Sequence, residues 1–196
     1  LDLIVGIGNP GKEYASTRHN AGVWFVDELA ERHGGRFKIE KKFYGRVASV
    51  AIADREIRLL VPDTYINESG KSVSTLVNFF KIVPEAILVA HDEIDFPTGK
   101  VRFRQSGGLA GHNGLRDISR RMGGTVAFNR LRVGVGHPGG QAGVTGHVLG
   151  KVSQPDREMI ETCIDEALRA LPLAISGEWQ GAMQALHNVE QPYQRG

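Results

Sequence analysis

The sequence predicts an α/β fold, a single-domain sandwich in which a mixed β-sheet is flanked by helices. Short apolar runs typical of strands alternate along the chain with segments whose apolar residues recur at helical spacing. One pair of predicted strands surrounds the turn at Asp54-Arg55, and this hairpin makes the sheet mixed because its strands run antiparallel. With 196 residues, 41% of them hydrophobic, the chain can bury one core, and we expect one domain over residues 1–196.

The first part of the chain contains a predicted strand, a helix and the hairpin. Residues 3–7 form a short apolar run followed by glycine, which is typical of a buried strand. A helix is predicted from Asn20, a candidate cap, to Gly34-Gly35, because its apolar residues recur on one face. Residues 46–52 and 56–61 form the two strands of the hairpin.

The middle of the chain continues the alternation. Ser69 is a candidate cap for a helix whose apolar residues again fall at helical spacing. Residues 87–90 are continuously apolar, as in a strand buried on both faces, and this strand ends at His91-Asp92. In residues 101–104 apolar side chains alternate with arginines, which predicts a strand with one face toward the core.

The last part adds a strand and three helices. Residues 115–122 predict a short helix, and residues 131–135 a second alternating strand; we expect the arginines of both alternating strands to face outward. Ser153 and Pro155 open the longest predicted helix, because serine caps helices and proline suits their first turn. Residues 179–186 suggest one more short helix.

Composition excludes several classes of protein. No apolar run approaches the roughly 18 to 20 residues that span a bilayer, and the chain opens directly into a strand, so we expect a cytoplasmic protein without membrane association. The single cysteine, Cys163, lies on the apolar stripe of the longest helix, which excludes internal disulfides and cysteine-based metal clusters. We expect Cys163 to be inert core.

Polar residues follow several predicted strands or stand in loops between elements. They are Asn9, His19 with Asn20, Asn67, His91 with Asp92, and His112 with Asn113. In open α/β sheets such positions converge on a crevice outside the carboxyl ends of the strands. Each residue alone is explained by turn or cap chemistry. Together they predict one pocket that contains a histidine, an aspartate and several asparagines.

The stretch GIGNPG at residues 6–11 matches a dinucleotide-binding glycine pattern directly after a strand. That fold needs a helix at the third glycine and an acidic residue about 20 positions later, at the end of a second strand. Here the helix begins about ten residues late, and the acidic residues lie within it. We therefore do not expect nicotinamide binding, although a plain tight turn leaves the asparagine unexplained.

The remaining chemistry is hydrolysis by activated water. The chain has no G-x-S-x-G serine and no H-E-x-x-H pair, so the covalent and zinc mechanisms lack their residues. A histidine can take a proton from water near neutral pH, and a carboxylate fixes its tautomer. Asparagine amides can donate to a developing oxyanion without adding charge. This set suits the hydrolysis of an activated acyl bond such as an ester.

The stretches LIVGIGNPGKEYASTRHNAG, RLLVPDTYINESG, ILVAHDEID and GGLAGHNGLRDI resemble the signature regions of bacterial peptidyl-tRNA hydrolases, in family order. The similarity includes RLRVGVGHPG and HVLGK and covers residues 3 to 187. The resemblance implies hydrolysis of the ester between a peptide, or an N-blocked amino acid, and tRNA, which releases tRNA for translation. It implies a mixed sheet flanked by helices, no metal, no cofactor and peptidyl-tRNA as the partner. We also expect a monomer.

The resemblance assigns roles residue by residue. His19, in the TRHN motif, is the general base, and Asp92, in the HDE motif, supports it. Asn9 is associated with the discrimination between the peptidyl end and the free aminoacyl end of a charged tRNA. Substrate-binding positions are Asn67, Asn113, Tyr14 and Tyr65.

Two positions depart from the family pattern. Ile66 stands where methionine is usual before the substrate asparagine, and a branched side chain is stiffer than methionine, so it could narrow the peptide channel. Leu109 replaces a usual glycine or small polar residue and could stiffen the loop that gates the site. Neither residue is assigned to the chemistry.

Residues 100–132 hold eight Lys and Arg side chains and one carboxylate, so seven positive charges are in excess. We expect Lys100, Arg102, Arg104 and Arg132 to contact tRNA phosphates, against the alternative of an ordinary solvated surface. Two further functions stay open at this point. A non-catalytic RNA-binding protein would need only this basic segment, and an amidase or aminopeptidase would need zinc ligands that the spacing lacks.

Overall fold

The computed structural model describes residues 1–139 and 141–187 and contains one mixed seven-stranded sheet. The strands are β1 (Leu3–Gly6), β2 (Lys38–Glu40), β3 (Gly45–Ile52), β4 (Arg55–Pro62), β5 (Ile87–Glu93), β6 (Val101–Gln105) and β7 (Asn129–Gly134). The helices are α1 (Ala21–Arg32), α2 (Ser69–Phe80), α3 (Asn113–Arg121), α4 (Gln141–Val148), α5 (Gln154–Ile175) and α6 (Trp179–His187). The expected domain of residues 1–196 extends over Gly140 and residues 188–196, which lie outside the described residues.

The strand order is β2-β3-β4-β1-β5-β7-β6. The four central strands are parallel to one another, while the β2-β3, β3-β4 and β6-β7 pairs are antiparallel. Every residue of β1 and β5 is buried, as expected for parallel strands covered on both faces. The predicted mixed sheet and its hairpin are confirmed.

Helices cover both faces of the sheet and create two apolar layers. One layer packs the sheet against α1, α5 and α6, and the other packs it against α2 and α3. Because the sheet is buried between these layers, its crevices open at the ends of the strands. The predicted sandwich is therefore confirmed. None of the described helices combines the length and the apolar character needed to cross a membrane.

Several local predictions were wrong in detail. Asn20 precedes α1 but does not cap it, because its side-chain amide is bonded to the backbone of Asn9. Ser69 is the first helical residue of α2, and its hydroxyl donates to the carbonyl of Ile66. Ser153 does cap α5, accepting from the amide of Asp156. The sequence prediction missed β2 and α4 entirely.

The start of α1 lies directly against the end of β5. A Cβ built on Gly22 would come within 2.1 Å of the Ala90 carbonyl oxygen, so only glycine allows this approach. The close contact brings the turn before α1, which carries His19, beside the strand end that carries Asp92. This is how the fold joins two residues that are far apart in sequence.

Candidate active site

A cavity of about 380 Å³ opens at the carboxyl ends of β1 and β5. Its lining combines polar groups from five parts of the chain with an apolar wall from α4. The residues that line it are Asn9, His19, Tyr65, Ile66, Asn67, Asp92, Glu93, Ile94, Ala110, Gly111, His112, Asn113, Val144, Thr145, Val148 and Leu149. One pocket was expected for Asn9, His19, Asn20, Asn67, His91, Asp92, His112 and Asn113. Six of these residues line the cavity, whereas Asn20 and His91 do not.

Asp92 is the centre of a hydrogen-bonded triad of side chains. One carboxylate oxygen, Oδ2, is 2.7 Å from Nδ1 of His19, and the other, Oδ1, is 2.8 Å from Nε2 of His112. The Asp92 side chain is 2% exposed, and that of His19 is 13% exposed. A buried carboxylate with both oxygens bonded is satisfied without any contact to solvent.

The hydrogen bonds assign the tautomers of both imidazoles. Nδ1 of His112 accepts from the backbone amides of Gly114 and Leu115 at 3.1 and 3.3 Å, so it carries no proton. The proton of neutral His112 therefore lies on Nε2 and is donated to Asp92. An ionised Asp92 likewise needs a proton on Nδ1 of His19, which leaves Nε2 of His19 as the unprotonated, basic nitrogen.

The charge state of Asp92 follows from its partners. Burial alone would raise the pKa of this carboxyl, but the positive charge that His19 and His112 can carry, together with their hydrogen bonds, outweighs it and holds the pKa below its ordinary value. Asp92 is therefore ionised across the pH range in which a histidine base works. An ionised Asp92 is an acceptor for both imidazoles at once.

His91 lies next to Asp92 in sequence but belongs to the core. Burial, with a contribution from the neighbouring His112, lowers the pKa of His91 from 6.5 to about 3. Its Nδ1 lies 2.8 Å from the backbone carbonyl of Asp92, and its Nε2 has no partner among the described residues. The His91 ring packs against that of His112, with centroids 5.0 Å apart. This histidine is neutral and supports the triad by packing.

Asn9 is held by backbone and side-chain bonds together. The backbone amide of Asn9 donates to Oδ1 of Asn20, and Nδ2 of Asn20 donates to the backbone carbonyl of Asn9. Oδ1 of Asn9 accepts from the Ile66 amide at 2.7 Å, which fixes the orientation of the side chain. Nδ2 of Asn9 therefore remains as a donor at the cavity wall. Ile66 has a clear structural role here, since its backbone orients Asn9.

The other expected substrate-binding residues lie at the cavity rim. Asn67 and Asn113 are exposed, and their side chains make no hydrogen bond within the part of the chain that the structure describes. Tyr65 is 54% exposed and meets Tyr14 edge to face, with ring centroids 6.2 Å apart. Tyr14 is not part of the cavity lining itself. It packs against Tyr65 outside the cavity.

Sequence reasoning missed two contributions to this cavity. His112 was noticed beside Asn113 but received no role, although it binds Asp92 as closely as His19 does. His112 is the N-cap of α3, but histidine is not among the residues preferred at that position, so the sequence did not mark it as fixed in place. The apolar wall from α4 had no signal, because that helix was not predicted.

The triad also has to be considered as a metal site. Ligand atoms of His19, Asp92 and His112 lie within 4.8 Å of one another, which is close enough for a shared cation. Nδ1 of His112 already uses its lone pair to accept two backbone amides. A metal on Nε2 would then require an imidazolate, in which neither ring nitrogen carries a proton. The donor set therefore fits a hydrogen-bonded triad better than a metal.

The basic residues lie on β6, β7 and the loop before β6. Arg132 donates through Nε to Glu93 at 2.7 Å, and both its guanidinium and the Lys100 ammonium lie over the Phe96 ring, 4.2 and 4.5 Å from its centroid. Arg102 donates to two backbone carbonyls, one of them in α6. Arg102 and Arg104 are each half-buried. Arg104 and Arg132 border a small pocket beside the cavity that shares Glu93 and Ala110 with the cavity lining, and we call this side the basic lip.

Arg130 was expected to face solvent, and this was wrong. It is 1% exposed although it shares a sheet face with Arg132. The loop that follows β6 covers it, and its guanidinium donates to carbonyls of that loop. The period of two in the sequence identifies the shared face, but it cannot show that a loop folds over part of it.

Comparison with known proteins places this geometry in context. A family model described as Peptidyl-tRNA hydrolase matches residues 3–194. A peptidyl-tRNA hydrolase from Azotobacter vinelandii is 52% identical over 188 residues, which cover 96% of this chain and 97% of the relative. One from Neisseria gonorrhoeae is 50% identical over the same shares of both chains. The crystal structure of peptidyl-tRNA hydrolase from Acinetobacter baumannii superposes with a TM-score of 0.93 at 46% identity, covering 98% of this chain and 97% of that one.

The low pKa of His91 predicts an acid-sensitive fold. Below pH 6.5 the unfolded chain protonates this histidine, whereas the folded chain does not do so until about pH 3, so acid favours unfolding in that window. Between about pH 7 and about pH 4.5 this linkage removes about 2 to 3 kcal/mol of stability. The variant His91→Asn keeps an N–H near the position of Nδ1 and cannot titrate. Urea unfolding across this pH range measures the free energy of unfolding, which should fall less with decreasing pH in the variant than in the unchanged protein. An equal fall in both proteins would contradict the low pKa of His91.

Proposed function

The chain belongs to the peptidyl-tRNA hydrolase family, and we infer that it hydrolyses the ester between peptide and tRNA with His19 as general base. Family membership makes the enzyme a hydrolase and its substrate class peptidyl-tRNA. The observation that carries the residue-level proposal is the 2.7 Å contact between Nδ1 of His19 and Oδ2 of Asp92. A proton held on Nδ1 by Asp92 leaves Nε2 unprotonated at the cavity.

The proposed reaction needs only water and the residues of this cavity. Nε2 of His19 takes a proton from a water molecule while the water oxygen attacks the ester carbonyl carbon. The resulting imidazolium is stabilised by Asp92 through the bond at Nδ1. When the carbon–oxygen bond to the ribose breaks, Nε2 returns the proton to the leaving ribose oxygen. The products are a peptide with a free carboxylate and a tRNA with a free hydroxyl.

The asparagines supply neutral polar contacts to the same centre. Nδ2 of Asn9 is oriented by the bond between Asn9 Oδ1 and the Ile66 amide, so it can donate to the ester carbonyl oxygen as negative charge develops. Asn67 and Asn113 offer amide groups at the rim for the peptide and the RNA end. Neutral donors suit this task because an added cation would lower the pKa of a histidine base and weaken it.

The peptide and the RNA would enter from different sides. The exposed Tyr65 and the half-buried Tyr14, which meet edge to face, offer an apolar surface to the peptide. Lys100, Arg102, Arg104 and Arg132 would contact tRNA phosphates on the opposite lip. We also propose that the enzyme acts as a cytoplasmic monomer and uses neither a metal nor a cofactor.

Replacing the base tests the mechanism. His19→Ala should lower kcat by a factor of about 10² to 10⁴, the usual share of general-base assistance, and should leave tRNA affinity nearly unchanged. The control His33→Ala removes an exposed histidine at the end of α1 and should change neither quantity. Turnover of N-blocked aminoacyl-tRNA with excess chelator measures kcat, and filter binding measures affinity. An equal loss of affinity and turnover would contradict the role of His19.

Neutralising the basic lip tests the RNA contacts. The double variant Arg104→Gln, Arg132→Gln should raise KM and lower its salt slope by roughly one unit for each phosphate that the protein no longer neutralises. Turnover at saturating substrate should barely change, because such interactions act equally in ground and transition states. Two exposed arginines that do not line the cavity, Arg55 and Arg169, provide a double control with the same charge change. An unchanged salt slope would assign the lip to ordinary surface.

A further inference from the structure

The loop between β6 and His112 has an unusual backbone. Ser106, Gly107, Ala110 and Gly111 all have positive φ, and two of them carry side chains that disfavour it. The main-chain groups of residues 106–111 make one hydrogen bond to another main-chain group among the described residues, in which the Leu109 carbonyl accepts from the His112 amide. A loop with so few internal bonds and two unfavourable residues needs outside support to keep one conformation.

Arg130 provides that support from inside the fold. Its Nη1 donates to the carbonyls of Ser106 and Gly108 at 3.2 and 2.9 Å. Its Nη2 donates to the carbonyl of Gly107 at 2.8 Å and to that of Val126 at 3.2 Å. Three consecutive carbonyls of the loop are thus tied to one guanidinium. The fork geometry of arginine makes this possible, since five donors are held in one rigid plane.

The burial of Arg130 is not explained by an ion pair. No carboxylate bonds its guanidinium within the described residues, and its Nε is buried without a partner. Burial, then the nearby charges of Arg104 and Arg132, lowers the pKa of Arg130 to about 10, so it stays charged at neutral pH. Within the described residues its partners are backbone carbonyls and the Phe128 ring, 4.8 Å from its Cζ, and a buried cation without a carboxylate costs stability. What it provides in return is a fixed backbone for the loop.

The fixed loop leads directly to the triad. His112 follows residue 111, and its Nε2 bonds Oδ1 of Asp92 while Asp92 Oδ2 bonds His19. Arg104 lies on the outer side of the same loop, where a Cβ on Gly107 would come within 2.6 Å of its Nη2. The side-chain hydrogen bonds that hold residues 106–108 come from Arg130, while Arg104 makes none to the loop within the described residues.

We propose that Arg130 is a positioning residue for hydrolysis, which acts by clamping residues 106–108 so that His112 holds Asp92 in line with His19. The inference rests on the proposed function, because the position of Asp92 affects hydrolysis only if His19 is the general base. It assigns to Arg130 an effect on kcat rather than on RNA binding, although its neighbours Arg104 and Arg132 are the proposed phosphate contacts.

A double-mutant cycle with His112 tests the proposal. Arg130→Lys keeps the charge but cannot reach all four carbonyls, so kcat for N-blocked aminoacyl-tRNA should fall about tenfold while KM changes less than about twofold. In the His112→Ala background the same substitution should cost less than about twofold, because the loop then holds nothing against Asp92. The control Arg169→Lys, on the exposed surface of α5, should change neither kcat nor KM, with or without His112.

A second variant covers the case in which Arg130→Lys fails to fold. Gly107→Ala strains the loop at a φ of 98° without opening the buried site of Arg130, and its loss of kcat should show the same dependence on His112. Because the added methyl group also presses on the Arg104 guanidinium, a change in KM for this variant is judged against that of Arg104→Gln. Equal losses in both backgrounds, or a rise in KM with kcat intact, would overturn the assignment of Arg130. If His19→Ala leaves turnover intact, the proposed function itself fails. If His19→Ala lowers kcat as expected, but the loop variants lower kcat by the same factor with and without His112, only the role of Arg130 is overturned.

Discussion

The buried carboxylate of Asp92 is the constraint on which the rest of the site depends. At 2% exposure an ionised carboxylate needs strong donors on both oxygens, and two imidazoles supply them from different parts of the chain. The glycine contact between Gly22 and Ala90 brings in His19, and the loop after β6 brings in His112. Each bond to Asp92 fixes a tautomer, so the demand of one buried charge selects which nitrogen of His19 is basic.

The same constraint explains why the neighbouring groups are neutral or turned away. His91 lies beside the triad but is kept uncharged by burial, and the asparagines add dipoles without charge. A cation on this face, Arg132, is bonded through Nε to Glu93, which also lines the cavity. Among the described residues that line the cavity, the carboxylates are therefore Asp92, which is bonded to two imidazoles, and Glu93, which is paired with Arg132.

Much of this arrangement could be predicted from the sequence, because strand ends and loops carry the polar residues. Asn9, His19, Asn67, Asp92 and Asn113 were expected to share one pocket, and the fold brings them to one cavity. The mixed sheet followed from the alternation of strands and helices and from the hairpin. These predictions succeeded because periodicity reports burial and turn residues report where strands end.

The remaining features depend on tertiary interactions that no local pattern contains. Asn20 looks like a helix cap, but its amide bonds Asn9 because the two loops meet in space. Arg130 alternates like its neighbours yet is buried by a loop from another strand. The three-residue strand β2 and the glycine-containing helix α4 are too short or too weakly patterned to be recognised. His112 needed the structure to show that it shares Asp92.

The opposite tautomers of His19 and His112 are the central claim, and ¹⁵N NMR of histidine-labelled protein measures them directly. Spectra at about pH 8, where an ordinary imidazole is neutral, distinguish a protonated ring nitrogen from one with a free lone pair. The hydrogen bonds predict the proton of His19 on Nδ1 and that of His112 on Nε2. A His19 proton on Nε2, or the same tautomer for both rings, would contradict the account, because His19 would then present no basic nitrogen to the substrate or His112 could not accept from the start of α3.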